Sequence, residues 1–429
     1  MRFPNAFAFA GAVLLGTVCA QSNAILAVES QYPTCALKCM AEYIPQSSCA
    51  VTDFACICAN EALNANITVC TLGSCTVTEL LTTKNVSSTL CGVEVRDRTK
   101  EISYIGMGVG CFALLAYILR LVAIWLRKAW GWDDTIMTIV VLLAVPPTIF
   151  SVVLADNGLG KDIWNVPFDD VTRILHIYFL GENFYLAALA LTKISILCFY
   201  LRVFPDQDYR RVLYLAMAFC AAYGISFVFA TVFQCSPVSY AWTRWDGEHI
   251  GSCNNINLQS WLSAIFNIVL DIMTISLPLP KLYRLHMSWK KKGMLMLMFS
   301  LGFFVTLVSI LRLQSLIEFA TSQNFTWDYV PAAYWSTIEM HVGIVCACLP
   351  AHRFLLGTIR SKIVGSTKGA SATISKSSET KGSKSVYQSP AKFDADSRSN
   401  FIPLDDIELS AAGSGIHRTP ESSTHTVEK

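Results

Sequence analysis

Seven apolar stretches, at roughly 102–126, 134–154, 174–201, 211–234, 258–280, 293–317 and 331–352, constrain this chain more than any other feature. Each is long enough to cross about 30 Å of hydrocarbon as an α-helix. Closed β-barrels are excluded, because barrel strands alternate apolar and polar residues and these runs are continuous. Composition agrees: 53% of residues are hydrophobic and only 15% charged, too few for a soluble surface. The net charge of +2 gives no reason to expect nucleic acid as a partner. The expected fold class is an all-α membrane protein, with a seven-transmembrane helix bundle over about residues 100–356.

Residues 1–20 read as a signal peptide, with Arg2 as a short positive region, Phe7 to Thr17 as the apolar stretch and Val18-Cys19-Ala20 as small residues for cleavage. An eighth spanning helix is the weaker reading, since the run is too short. Sixteen cysteines are present, and eight of them fall between residues 35 and 91: Cys35, Cys39, Cys49, Cys56, Cys58, Cys70, Cys75 and Cys91. An even number behind a signal peptide implies four disulfides in a small oxidised domain. Some 60 residues bury too little apolar surface to be stable without such bridges. A zinc site would need reduced thiolates and paired knuckles. Spacing alone leaves 105 pairings open.

The cysteine spacing C-x3-C-x9-C-x6-C-x-C-x11-C-x4-C-x15-C, with Pro33, Ala36 and the run Asp53-Phe54-Ala55-Cys56-Ile57-Cys58, resembles the fungal CFEM module over about residues 30–92. The resemblance implies a small disulfide-rich helical basket with bridges Cys35–Cys75, Cys39–Cys70, Cys49–Cys56 and Cys58–Cys91. In haem-binding relatives, the aspartate three residues before the fourth cysteine is the axial iron ligand. Asp53 holds that position, so haem is the cofactor the resemblance implies. The competing role for Asp53 is a helix cap.

Orientation rests on three readings. A signal peptide places the N-terminus outside, and seven crossings then place the C-terminus in the cytoplasm. Arg127, Lys128, Arg202, Arg210, Arg211, Lys281, Arg284, Lys290, Lys291 and Lys292 fall in loops assigned to the cytosol, against Lys161, Arg173 and Arg244 outside. The sequons at Asn66, Asn85 and Asn324 all land outside, where glycosylation is expected. Arg96, Arg98 and Lys100 run against the rule, and a translocated disulfide domain overrides them. Cys235 and Cys253 bracket an outer loop and are expected to form a disulfide. Cys111, Cys198, Cys220, Cys346 and Cys348 read as buried small residues. Residues 357–429, rich in Ser, Thr, Lys and Gly, read as a disordered cytoplasmic tail with Ser389-Pro390 and Thr419-Pro420 as candidate phosphorylation sites.

Over about residues 100–360 the chain resembles the fungal Pth-eleven-like receptor family. The resemblance is carried by Trp130-Gly131-Trp132-Asp133-Asp134 and by Leu191-Thr192-Lys193-Ile194-Ser195-Ile196-Leu197 leading into Phe199-Tyr200-Leu201-Arg202-Val203-Phe204. Cys235-Ser236-Pro237, Trp242, Gly251-Ser252-Cys253, and Asn267 and Asp271 before Leu277-Pro278-Leu279-Pro280 complete it. It implies a plasma-membrane receptor, not an enzyme, that senses an extracellular ligand or surface cue. It also implies signalling through a heterotrimeric G protein and cyclic AMP to infection-related development. Familiar animal-receptor markers are missing, since helix seven ends in Cys348-Leu349-Pro350-Ala351 and Tyr200-Leu201-Arg202 only loosely echoes an Asp-Arg-Tyr switch.

Ionisable residues inside apolar helices usually face the bundle interior. Here they are Arg120, Glu182, Lys193, Asp271, Arg312, Glu339 and His341. Depth suggests two ion pairs, Lys193 with Asp271 in the inner half and Arg312 with Glu339 in the outer half. Asp133 and Asp134 read as caps of a helix N-terminus. Arg284 and Lys290 to Lys292, between helices five and six, are expected to meet anionic membrane lipids and a G-alpha subunit. A retinal protein is excluded because residues 331–352 hold no lysine. A haem reductase needs facing histidine pairs that His176 and His341 do not supply, and no repeat of a transporter is visible. The remaining alternative is a haem or iron-acquisition protein with the CFEM module as capture device.

Overall fold

The structure, a computed structural model, describes residues 30–283, 289–320 and 322–369. The signal peptide, Arg284 and the phosphorylation sites of the tail lie outside the described residues. So do the side chains of Lys290, Lys291 and Lys292.

The cysteine-rich module consists of α1 (Thr34–Tyr43), α2 (Phe54–Ala59), α3 (Glu61–Ser74) and α4 (Val77–Leu90). Each of the last three starts at a side-chain cap. Asp53 accepts the Cys56 N–H at 3.0 Å, Asn60 accepts the Leu63 N–H at 3.0 Å, and Thr76 and Glu79 form a reciprocal capping box. The core is small, built on Ile44, Leu63 and Ile67. Four disulfides hold it: Cys35–Cys75, Cys39–Cys70, Cys49–Cys56 and Cys58–Cys91.

Helices α5 (Thr99–Arg127), α6 (Trp132–Asp156), α7 (Phe168–Val203) and α8 (Gln207–Val232) follow. A loop then carries β1 (Cys235–Ser236), the short α9 (Tyr240–Thr243) and β2 (Ser252–Cys253). The strands pair antiparallel with Cys235 opposite Cys253, and that pair is disulfide-bonded. The chain continues through α10 (Ile256–Ser276), α11 (Leu279–Tyr283), α12 (Trp289–Phe319), α13 (Phe325–Asp328) and α14 (Val330–Gly369). Seven segments are long and apolar enough to cross a membrane, the last three being Ile256–Lys281, Ser300–Phe319 and Phe325–Thr358.

Helix α7 is central, packed against α6, α8, α10 and α14, while α5 closes onto α6 and α14 and α12 joins α10 to α14. Small residues let the backbones approach: a Cβ on Gly224 of α8 would lie 2.6 Å from the Ala190 Cβ of α7. Large apolar side chains such as Phe112, Leu142, Leu215, Phe229 and Phe303 point outward, as a lipid-facing surface requires. Cys111 is exposed on that surface, so it is not the buried small residue expected from sequence, whereas Cys220 and Cys348 are buried.

The tail expected to be disordered from residue 357 is instead helical to Gly369. An anchored helix propagates at one hydrogen bond per added residue, and no proline interrupts residues 351–369.

Candidate functional site

The module is seated on one end of the bundle. Asn85 of α4 donates Nδ2 to the Trp164 carbonyl at 2.6 Å and to Asn165 Oδ1 at 3.0 Å. Buried Asp162 pairs with Arg96 of the linker and accepts the Asn324 Nδ2 at 2.7 Å, joining three segments distant in sequence. The Arg96 hydrogen bond to Asp162, with the charge of that carboxylate, raises the Arg96 pKa. Gly160, at φ +109°, lets the loop backbone lie against Thr99, where a Cβ would meet the amide nitrogen at 2.7 Å. Next to it, the Thr99 hydroxyl and amide hold the Asp97 carboxyl below its ordinary pKa.

This seating separates the three sequons. Asn66 is exposed on α3. Asn85 and Asn324 have their amide nitrogens, the atoms that would carry a glycan, committed to the contacts above. A glycan at either position would displace the module–bundle contacts.

Between the module and the bundle lies a half-open cleft of about 1750 Å³, with a smaller cavity of about 90 Å³ beneath it. The two share Leu175, Arg244, Asn257, Phe319 and Phe325, and the lower one reaches Tyr178, Glu182 and Tyr329. The indole N–H of Trp261 borders the lower cavity and has no hydrogen-bond partner among the described residues.

Below this cavity a buried polar network runs down the bundle. Tyr178 hydrogen-bonds Glu182, which also faces Arg312. The Arg312 guanidinium lies 4.5 Å from the Tyr185 ring centroid and donates Nε to Ser336 at 2.9 Å. Tyr185 donates its hydroxyl to Glu339. Ser309 touches both Glu339 and, at 3.2 Å, Asp271. Asn267 donates to Glu339 at 2.6 Å and accepts from Lys193 Nζ at 2.7 Å. Lys193 in turn pairs with Asp271 at 3.0 Å. The two separate pairs expected from sequence are thus one network. The direct Arg312–Glu339 pair is not formed, because Tyr185, Ser309 and Asn267 take up the Glu339 oxygens.

A second cluster sits at the far end of the bundle. Arg120 of α5, 3% exposed, pairs with Asp133 at 2.7 Å and Asp134 at 2.6 Å, and donates Nη1 to the Ala347 carbonyl of α14 at 2.6 Å. Arg202, at the end of α7, approaches the same carboxylates at 3.6 and 3.9 Å. Asp134 still accepts the Gly131 N–H at 3.0 Å, but capping is the smaller part of its role. Sequence reading missed this cluster. The available signal was an arginine inside an apolar span with two acids just across the following tight turn. Ser195 Oγ donates to the Asp133 carbonyl at 2.8 Å. Helix α7 therefore carries Lys193 of the upper network and Ser195 of the lower cluster within one turn.

Asp53 is exposed, with one carboxylate oxygen on the Cys56 amide and with exposed Val51 and Phe54 beside it. A hard oxygen donor next to an apolar rim is a chemistry that would suit ferric haem.

A disulfide-bonded cysteine-rich module on a seven-helix bundle with ionisable groups sealed in its core defines a multi-pass membrane protein of receptor-like architecture. The fungal rhodopsin domain matches residues 119–358 and the CFEM domain residues 28–92. The chain belongs to the fungal rhodopsin domain family and carries a CFEM domain. It is 28% identical to a SAT4 family membrane protein of Emericella nidulans, over 57% of this chain and 60% of that protein. It is 27% identical to the satratoxin biosynthesis SC1 cluster protein 4 of Stachybotrys chartarum, over 53% and 84% respectively. It is 24% identical to Receptor GIN3 of Arthrobotrys oligospora, over 54% and 55%. The match thus spans about 60% of the length of the SAT4 protein. No solved structure matches.

Proposed function

We propose that this protein is a plasma-membrane receptor, not an enzyme, with the CFEM domain outside and the C-terminus in the cytoplasm. On this reading an external ligand or surface cue acts through a heterotrimeric G protein and cyclic AMP on infection-related development. One observation carries the reading: the buried polar network that starts under the outer cleft and meets the Arg120–Asp133–Asp134 cluster on α7. Intramembrane ionisable groups are expensive and are retained at functional sites. A network joining α7, α10, α12 and α14 is a physical element that two arrangements of those helices would bias differently. The relative named Receptor GIN3 supports the same direction. Arg284 and Lys290 to Lys292 are the proposed contacts to the G-alpha subunit and to inner-leaflet lipids.

The test replaces Lys193 and Asp271 together by Met and Leu, which keeps the core neutral. The double variant should reach the plasma membrane and fail to trigger surface-induced differentiation in a deletion strain, and added cyclic AMP should restore it. Normal differentiation by a correctly located variant would refute the network's role in signalling. Failure of cyclic AMP to rescue would turn the reading toward nutrient capture.

The second reading, haem or iron acquisition, would rest on Asp53 with its apolar rim. When bound, haem would supply a ferric iron centre, and the Asp53 carboxylate would hold it. Haem titration of the full chain should show a Soret shift that Asp53→Ala abolishes. An unchanged shift in that variant would remove Asp53 from the site.

A further inference from the structure

The cleft between the CFEM domain and the bundle has a one-sided electrostatic lining. Lys38, Lys84 and Arg244 contribute to its wall, and none of its lining residues is Asp or Glu. All three cations are exposed, and none forms an ion pair among the described residues. Lys84 lies over the Trp164 ring at 5.6 Å from the centroid, and Trp245 stands nearby, held by its indole hydrogen bond to Thr172 at 3.0 Å. The rest of the wall is mostly apolar, including Phe54 and Leu80 from the domain and Phe325 from the bundle. At about 1750 Å³ the space exceeds the roughly 300–1,000 Å³ of drug-sized sites, so it suits an extended ligand.

Unpaired cations in a wall without acids select against cationic ligands and leave a neutral ligand no electrostatic gain. We infer that the cleft binds an amphipathic anion, an extended apolar body ending in a carboxylate or equivalent. The apolar body lies along Phe54, Leu80 and Trp245, and the anionic end is held by Lys84 and Arg244. The two cations come from different parts of the chain, Lys84 from the CFEM domain and Arg244 from the end of α9. The anion therefore bridges the two bodies, and its occupancy bears on the floor shared with the cavity above Glu182. This assignment rests on the receptor reading for its consequence, but the binding itself does not.

The test is equilibrium binding of tritiated oleate to the full chain in nanodiscs, with empty nanodiscs giving the partition background. Oleate should bind saturably, and oleyl alcohol should bind about tenfold or more weakly, since each charge-assisted contact is worth about one decade. Lys84→Gln with Arg244→Gln should weaken oleate about tenfold or more and leave oleyl alcohol unchanged, while Lys84→Arg retains oleate binding. Equal affinity for acid and alcohol, unaltered oleate binding by the double variant, or no saturable binding would each overturn the assignment. Oleate binding that is intact in the Lys193→Met, Asp271→Leu variant would separate ligand capture from signalling. Failure of one then leaves the other standing.

Discussion

Arg120 shows most directly what burial does to a charge. Its guanidinium meets two carboxylates and a carbonyl while almost wholly excluded from solvent. Removing one partner of a buried pair leaves an uncompensated charge, which typically costs about 3–5 kcal/mol. Arg120→Met should therefore lower the thermal unfolding midpoint of detergent-solubilised protein strongly. Arg202→Gln should shift it little, because the Arg202 side chain is 34% exposed and its contacts are longer, at 3.6 and 3.9 Å. Equal shifts for the two variants would refute the argument from burial. The asparagines make a second contrast at this scale. Asn66→Gln should abolish the mobility shift on glycosidase treatment of secretory-pathway material, and Asn85→Gln and Asn324→Gln should leave it. A residual shift in Asn66→Gln would mean that Asn85 or Asn324 is glycosylated despite its committed amide.

Among the elements, the loop 158–167 between α6 and α7 does most to couple the CFEM domain to the bundle. It presents Trp164 and Asn165 to α4 and Asp162 to both Arg96 and Asn324. Asp162 also has the Ile163 amide beside it, which donates to Asn324 Oδ1 at 2.9 Å. Truncating this buried acceptor leaves the part-buried Asn324 amide without its partner and releases half-exposed Arg96 to solvent. Asp162→Ala should raise amide hydrogen exchange in residues 158–167 and in α13 together, with α3 unaffected. An increase confined to residues 158–167 would show that Asp162 does not tie the two loops. Elements of this kind carry no periodic pattern, so their pairing depends on where the helices they connect come to rest.

For the whole molecule, the CFEM domain's stability depends on covalent closure, because its core holds few buried apolar side chains. The bridge Cys58–Cys91 spans 33 residues and Cys49–Cys56 only 7. Loop closure constrains the unfolded chain more as the loop lengthens. Cys58→Ala with Cys91→Ala should thus reduce the amount of protein at the cell surface more than Cys49→Ala with Cys56→Ala. Flow cytometry with an epitope tag ahead of residue 30 would measure this, and the opposite order would contradict the loop-length argument. The spans were legible from sequence because crossing hydrocarbon imposes a count of consecutive apolar residues on a single segment. The cysteine module was legible because its spacing is a local pattern.

The sequence by itself determined seven spans, a cysteine-rich domain ahead of them, and the ionisable residues within the spans, but not the burial of Asp133 and Asp134. Only the tertiary structure decided the partners. Glu339 meets Tyr185, Asn267 and Ser309, which lie 154, 72 and 30 residues away. Arg120 reaches α14 as well as its neighbour α6. The physical reason is rotational. Hydrophobicity sets how long a helix is and that it spans, but runs that are apolar all round carry little information on which face turns inward. Close contacts between small residues such as Gly224 and Ala190 set that rotation, and with it which buried charges can touch.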